Sequence, residues 1–349
     1  MRLIQAGHKQ IGTGQPCFIA AEIGINHNGD MVLARKMIDA AAAAGADAVK
    51  FQNYRTEDFL SDRTLTYTYQ SQGKQVTEPQ FDMFKRCELS AGQLKELRAH
   101  CETRGVVFFS TPTSDEGIAD LRAAGATLLK NGSDYLTHLP LIRSMARTGL
   151  PTILSTGMAT QGEIEDAVMA FKEAGGSELL ILHCTSSYPT PANEVNLRKI
   201  PALVAAFGYP VGFSDHSWGT TAALGAVALG ACFIEKHFTL DKSLPGPDHR
   251  FSSEPEELCE LVTRVRELEQ NLGDDRIGPT ISEMENRHGF RISCVAARDL
   301  PVGHVIKSED IAYRRPGNGK PPKYVNDFID RRTSMFVARG AILQLEQME

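Results

Sequence analysis

His216 and His237 lie 21 positions apart, each closing a short apolar run: Pro210-Val-Gly-Phe-Ser-Asp-His and Ala231-Cys-Phe-Ile-Glu-Lys-His. Each run has the length of a buried strand. Between them, Ser217 to Gly230 carries a turn and a small-residue helix, TTAALGAVALG. Strand, helix, strand at that pitch is a βαβ unit, whose strands are usually neighbours about 5 Å apart. The two imidazoles then share the carboxyl rim of a parallel sheet, where one divalent cation can bridge them. The plainer reading is two unrelated polar caps on strand ends.

Other apolar runs end in residues able to bind or transfer protons. The first ends Ala20-Ala-Glu-Ile-Gly-Ile-Asn-His-Asn-Gly and puts Glu22 at the mouth. The second ends Val49-Lys-Phe-Gln, with Lys50 and Gln52 on one side by the period-two rule. The next four end Ser110-Thr111-Pro, Lys130-Asn-Gly-Ser133, Leu154-Ser155-Thr-Gly-Met and His183-Cys-Thr-Ser186-Ser-Tyr188-Pro. Two lysines among small hydroxyls at one rim suit an anionic ligand. Two other readings stand beside that one: each lysine snorkels to solvent, or one forms a Schiff base, as in barrel aldolases. His183-Cys184 imitates a nucleophile pair, but adjacent strand residues face opposite ways. Neither a Gly-x-Ser-x-Gly elbow nor a Walker loop is present. Pro245-Gly-Pro-Asp248 forms a stiff loop whose carboxylate suits a polyol. Arg314-Arg315-Pro-Gly-Asn-Gly holds a guanidinium on a rigid turn, suited to a carboxylate or phosphate.

These side chains need a scaffold, and the spacing supplies one. Strands are expected near 18–23, 48–52, 106–110, 127–130, 152–155, 179–183, 211–213 and 232–235. Helices are expected at 33–44, 91–104, 116–124, 139–147, 161–174 and 197–207. Eight such units over about 240 residues make a (β/α)8 TIM barrel, with a doubly wound open sheet as the rival. The polar, aromatic stretch 55–87 reads as a long loop after the second strand. A charged amphipathic helix over 254–272 completes a barrel domain spanning 1–273. Residues 274–287 read as a polar linker, and 288–349, with short β-runs and turns, as a small β-rich domain. About 60 residues make a marginal core, so docking onto a barrel or a partner is expected.

The bulk properties are those of a soluble globular chain. It has 349 residues, 42% hydrophobic and 23% charged. A net charge of −6 excludes wholesale nucleic-acid binding and gives no reason to invoke a membrane. No apolar stretch reaches the roughly 18 residues of a membrane helix, and no signal peptide is recognisable, so a cytoplasmic protein is expected. Seven scattered cysteines, none in a Cys-x-x-Cys pair, fit buried thiols in a reducing compartment rather than a zinc cluster or disulfide framework.

Taken in order, these motifs resemble the sialic acid synthase family. The matching stretches are Ala21-Glu-Ile-Gly-Ile-Asn-His-Asn-Gly, Val49-Lys-Phe-Gln, Ser110-Thr-Pro, Leu154-Ser-Thr-Gly-Met and His183-Cys-Thr-Ser-Ser-Tyr-Pro-Thr-Pro. They continue with Phe213-Ser-Asp-His, Ile234-Glu-Lys-His-Phe-Thr, Pro245-Gly-Pro-Asp-His and Arg315-Pro-Gly-Asn-Gly. The resemblance implies a TIM barrel followed by an antifreeze-like (SAF, β-clip) domain that caps a partner's site in a swapped homodimer. It implies condensation of phosphoenolpyruvate with an N-acetylmannosamine-type sugar to give a sialic acid and phosphate. A diacetamido-trideoxy sugar of the legionaminic or pseudaminic kind is the alternative; a 3-deoxy-sugar-phosphate synthase or an aldolase is a further one. It makes His216 and His237 ligands of a divalent metal, manganese, with magnesium or cobalt as substitutes. Lys50, Thr111, Lys130, Ser133 and Ser214 match phosphoenolpyruvate contacts; Gln52, Tyr188 and Asp248 match the sugar site. Glu22 and Glu235 match acids beside the metal and the reacting carbons, and Arg315 an arginine entering the neighbouring subunit. Ser110, Ser155 and Ser186 complete the expected substrate-binding set. One departure stands out. Where the family commonly reads Lys-Ile-Gly-Ser-Gly-Glu, this chain reads Lys130-Asn-Gly-Ser-Asp-Tyr, with the acid one residue early at Asp134 and Tyr135 in the glutamate's place. A different class of reading is a glycan- or ice-binding protein with a silent barrel.

Overall fold

The computed structural model describes residues 3–349. A small antiparallel hairpin, β1 (Ile4–Ala6) and β2 (Lys9–Ile11), precedes the barrel. The first two barrel strands are β3 (Phe18–Gly24) and β4 (Ala48–Asn53). An inserted hairpin, β5 (Thr66–Ser71) and β6 (Lys74–Pro79), separates them from β7 (Val107–Pro112), β8 (Leu129–Asn131) and β9 (Thr152–Ser155). The ring is completed by β10 (Leu179–Cys184), β11 (Val211–Asp215) and β12 (Phe233–His237), which pairs back onto β3. All eight barrel strands run parallel and the sheet is closed. This is the TIM barrel expected from the spacing, and closure removes the open-sheet rival.

The helices are α1 (Met31–Ala43), α2 (Thr56–Phe59), α3 (Gln80–Cys87), α4 (Ala91–Arg104), α5 (Asp115–Ala124), α6 (Leu139–Arg147), α7 (Gln161–Glu173), α8 (Lys199–Phe207), α9 (Thr221–Ala228) and α10 (Pro255–Leu272). Local chemistry sets their ends. Asp30 caps α1 by accepting from the Val32 and Leu33 amides, and Ser90 with Gln93 forms a capping box on α4. Helix α1 buries Ala34, Met37, Ile38 and Ala41, one stripe at helical spacing. Burying Met37 or Ile38 contributes roughly 1.5–3 kcal/mol each.

The barrel interior is layered, and the layering positions the site. Side chains alternate along each strand, so every second residue points inward. Near the amino ends of the strands the inward residues are apolar: Phe18, Ala20, Ala48, Phe109, Leu180, Leu182 and Phe233 pack there with Ile4, Ala6 and Ile11 of the β1–β2 hairpin. That hairpin plugs the bottom. Further up the same columns the residues become Glu22, Lys50, Thr111, Lys130, Ser155, Ser214 and Glu235. Gly212 marks a tight point on the wall, since a Cβ there would lie 2.6 Å from Leu182 Cδ2 and 2.7 Å from the Phe233 carbonyl oxygen.

The chain divides into two compact units, the first ending at Gly273 and the second running Asp274–Glu349. The second opens with α11 (Ile281–Phe290) and contains an antiparallel pair, β13 (Ser293–Ala296) and β14 (Ile311–Arg314), with isolated bridges and single helical turns. Its core holds Cys294, Leu300, Ile306, Phe328, Val337 and Leu343. Two sequence expectations are corrected. Stretch 55–87 is two short helices and a hairpin rather than a bare loop, and 274–287 is partly helical.

Candidate active site

The barrel's carboxyl end opens into a cavity of 480 Å³, within the range of small-molecule sites. Of the residues expected from sequence, Glu22, Lys50, Gln52, Thr111, Lys130, Ser133 and Ser155 line it. So do Ser186, Tyr188, Ser214, His216, Glu235, His237 and Asp248. Ser110 does not: it alternates with Thr111 on β7, is fully buried outside the cavity, and its hydroxyl has no partner. Arg315 belongs to the second unit, where it is exposed and stacks over Phe290 at 5.1 Å.

Strands β11 and β12 are direct neighbours, and the rings of His216 and His237 stand 5.3 Å apart. His216 Nδ1 lies 2.8 Å from the Thr185 carbonyl oxygen, which can only accept. Nδ1 therefore carries a proton, and Nε2, 3.5 Å from Ser214 Oγ, is the nitrogen left to coordinate a cation when the ring is neutral. His237 is held well below the ordinary imidazole range by burial, with the charges of His216 and Lys50 adding to the effect. Its Nδ1 is buried without a hydrogen-bond partner and lies 3.8 Å from Asp248 Oδ2. Behind the histidines, Lys236 Nζ pairs with Asp215 Oδ2 at 2.8 Å, tying β11 to β12 on the outer face. Among the described residues no group of three or more His, Cys, Asp or Glu side chains is arranged to hold a metal.

A buried charge network shares the cavity, reaching the histidines through Ser214 Oγ, 3.5 Å from His216 Nε2. Lys50 Nζ is 2.8 Å from Glu22 Oε2 and 3.9 Å from Glu235 Oε1. Lys130 Nζ donates to both Glu235 oxygens, at 2.9 and 3.0 Å, and Ser214 Oγ donates to Oε1 at 3.0 Å. Burial pushes Glu235 upward, but Lys130 and Lys50 outweigh it and hold the carboxylate well below its usual range. Glu22 goes the other way, raised chiefly by burial and further by Glu235, against the pull of Lys50. Burial lowers Lys50, and the two glutamates more than reverse that, so it stays a firm cation. A cationic Lys50 is a poor imine-forming amine, which weighs against an aldolase.

The structure also brings in an aromatic set that the sequence reading passed over. Tyr54, Phe59 and Phe84 form a cluster with ring separations of 5.0–5.5 Å. With Ile25, Tyr67 and Met83 they make one wall of the cavity apolar. The signal for Tyr67 was the Thr66-Tyr-Thr-Tyr alternation before Gln72-Gly73, a hairpin pattern. Asp134 lines the cavity on the turn Ser133–Tyr135. His183 faces away, 2.6 Å from the Val195 carbonyl, as strand alternation requires. Cys184 instead reaches His216 Nδ1 at 3.9 Å.

Comparison with known proteins decides the lineage. Residues 37–276 match the NeuB family and residues 293–349 the SAF domain. The chain belongs to the NeuB family. These are the sialic and nonulosonic acid synthases, here with a C-terminal SAF domain. It is 40% identical to the N,N'-diacetyllegionaminic acid synthase of Campylobacter jejuni, over 90% of this chain and 94% of that one. With the enzyme of the same name from Legionella pneumophila it shares 38% identity over 98% of both. The crystal structure of the N-acetylneuraminic acid synthetase from Leptospira borgpetersenii, in complex with citrate, superposes with a TM-score of 0.74 at 36% identity, covering 82% of this chain and 95% of that one. No helix among the described residues is long and apolar enough to cross a membrane.

Proposed function

We propose that this chain condenses phosphoenolpyruvate with an N-acylated mannosamine-type sugar and water, giving a nonulosonic acid and phosphate. The observation that carries the reading is two buried lysines, Lys50 and Lys130, lining one cavity with the His216–His237 pair. Lys130 and Lys50, with Thr111, Ser133 and Ser214, form the end suited to the phosphate and carboxylate. Carbon 2 of phosphoenolpyruvate bears both anionic groups, so it lies between the lysines, and carbon 3 is then presented toward the histidines. Carbon 3 attacks the sugar aldehyde, and carbon 2 becomes electron-deficient. Water adds there, and phosphate leaves with its bridging oxygen. Holding both substrates in line supplies much of the rate.

The histidines fit a divalent cation such as manganese. His216 has its Nδ1 fixed on a carbonyl, and His237 is a neutral imidazole with an unpartnered buried nitrogen. When bound, the cation supplies a Lewis acid for the aldehyde oxygen. Asp248, raised to about 6 by burial against the charges of His216 and Lys50, lies between the histidines and the aromatic wall and suits a sugar hydroxyl or amide.

The aromatic wall favours a diacetamido-trideoxy sugar over N-acetylmannosamine itself. A terminal methyl and a second acetyl gain contact on Phe59, Phe84 and Met83, whereas a terminal hydroxyl loses water there without a partner. The legionaminic acid synthases among the relatives support the same choice. Phosphate release from phosphoenolpyruvate, scanned over mannosamine derivatives with and without manganese, tests both levels. The diacetamido-trideoxy sugar is expected to give the highest kcat/KM. Equal turnover of all sugars overturns the substrate choice, and no release with any sugar overturns the reaction.

A further inference from the structure

Water adding to carbon 2 needs a base, and the cavity holds four carboxylates: Glu22, Asp134, Glu235 and Asp248. Two are committed. Glu22 is the partner of Lys50, and Glu235 takes both Lys130 and Ser214. Asp248 stands on the far side, beside His237. Asp134 differs: among the described residues no cation lies within ion-pairing distance of it, yet it is close enough to feel Lys130 and Lys50.

Its placement is built. The turn Ser133–Tyr135 follows β8 directly; Ser133 Oγ accepts from the Gly157 amide at 3.0 Å, and Tyr135 stacks on His138 with ring centroids 5.8 Å apart. The carboxylate lies over Gly132. That residue has an ordinary φ of −66°, so glycine serves space rather than backbone freedom: a Cβ there would collide with Asp134 Oδ1 and sit 3.7 Å from Thr111 Cγ2. Thr111 Oγ1 is 3.4 Å from Lys50 Nζ. Asp134 thus sits at the lysine end, where carbon 2 must lie.

We propose that Asp134 is the base that takes a proton from the water adding to carbon 2, an assignment that rests on the condensation proposed above. The water oxygen forms a bond to carbon 2 as one of its protons passes to the Asp134 carboxylate. When the bond between carbon 2 and the phosphate oxygen breaks, the phosphate keeps the electron pair and takes the water's second proton. Asp134 then gives its proton, through solvent, to the alkoxide left on the former aldehyde carbon, which balances the reaction. Burial raises the Asp134 carboxyl, partly opposed by Lys130 and Lys50, and moves it toward the pH at which a base works best. The other titratable groups facing it are the phenols of Tyr135 and Tyr188, both raised by burial and so neutral in acid.

The test is steady-state kinetics of Asp134→Asn across pH with phosphoenolpyruvate, the preferred sugar and manganese. Asp134→Asn should lose about 10²–10⁴ in kcat while the KM for phosphoenolpyruvate changes less than about threefold. The acid limb of the wild-type kcat profile should vanish in Asp134→Asn and persist in Glu22→Gln. Asp134→Ala is the second arm: formate should restore at least about tenfold in turnover while leaving Asp134→Asn unchanged. Near-normal kcat in Asp134→Asn, a loss confined to KM, an acid limb surviving in that variant, or no rescue by formate overturns the assignment. Absence of phosphate release by the wild-type enzyme with every sugar overturns the underlying reaction instead, and this assignment with it.

Discussion

His216 and His237 carry the metal reading, and their removal is the sharpest residue-level test. Both sit at the rim above the packed layers, so His216→Ala and His237→Ala should leave the fold intact. Each should lower kcat/KM by more than about a hundredfold, roughly 3 kcal/mol of transition-state stabilisation, and should abolish manganese binding by calorimetry. Near-normal turnover by either in chelator-treated buffer contradicts the site. Lys130 gives a second test with a structural cost attached. Lys130→Met removes one anion contact and also leaves Glu235 buried beside one remaining lysine at 3.9 Å. The KM for phosphoenolpyruvate should rise by at least about tenfold more than that for the sugar, and unfolding in urea should show a loss of about 3 kcal/mol. Equal weakening toward both substrates excludes a selective anion contact.

Among the elements, the rim loops hold two buried histidines whose protonation should loosen them. His27 accepts from the Gly29 amide at Nδ1, its Nε2 is buried without a partner, and burial lowers it to about 4. His249 touches Thr239 and Asn28, and burial lowers it likewise to about 4. Unfolded histidine titrates near 6.5, so between about pH 6.5 and 4 the unfolded chain binds protons that the folded chain refuses. Stability should be full above pH 6.5 and fall toward pH 4, by roughly 3 kcal/mol at most for each histidine. Urea midpoints at pH 7 and pH 5 measure it, and His27→Gln should flatten part of the slope; an unchanged slope contradicts the assignment. The inserted hairpin is tied to the loop after β12 by Gln72 Nε2 to the Ser243 carbonyl and the Gly246 amide to Ser71 Oγ. Replacing residues 66–79 by a short glycine turn should raise the sugar KM at least about tenfold, leaving that for phosphoenolpyruvate within about twofold. Comparable losses for both substrates mean the hairpin only supports the barrel.

Legibility at this scale followed burial. The barrel strands are sheathed on both sides and were readable as apolar runs, and the strand-end residues named from sequence, Ser110 excepted, are the ones that line the cavity. The β5–β6 hairpin is largely exposed, and its Tyr67 and Tyr69 lack an apolar run to announce them. Helix α11 buries none of its side chains, so no apolar stripe marked it in a stretch that reads as a polar linker. Asp134 was visible as a misplaced acid. That its carboxylate is the one left unpaired at the lysine end depends on contacts between strands far apart in sequence.

For the whole molecule, the resemblance implies that the SAF unit carries Arg315 into the site of a neighbouring chain. If Arg315 acts in trans, Arg315→Ala and Lys50→Ala proteins should each be nearly inactive alone. Refolded together, half the dimers are mixed and each has one intact site of two, so about a quarter of wild-type activity should return. No recovery despite proven subunit exchange places the arginine in its own chain's site or in neither.

The bridging oxygen of phosphoenolpyruvate records which bond breaks. Labelled with oxygen-18 at that position and turned over with the diacetamido-trideoxy sugar and manganese, the substrate should deliver its label to inorganic phosphate, because water adds at carbon 2 and the bond between carbon and oxygen breaks. Label retained in the ketoacid product contradicts cleavage between carbon and oxygen, and no phosphate formed in the presence of any aldehyde sugar contradicts the condensation itself.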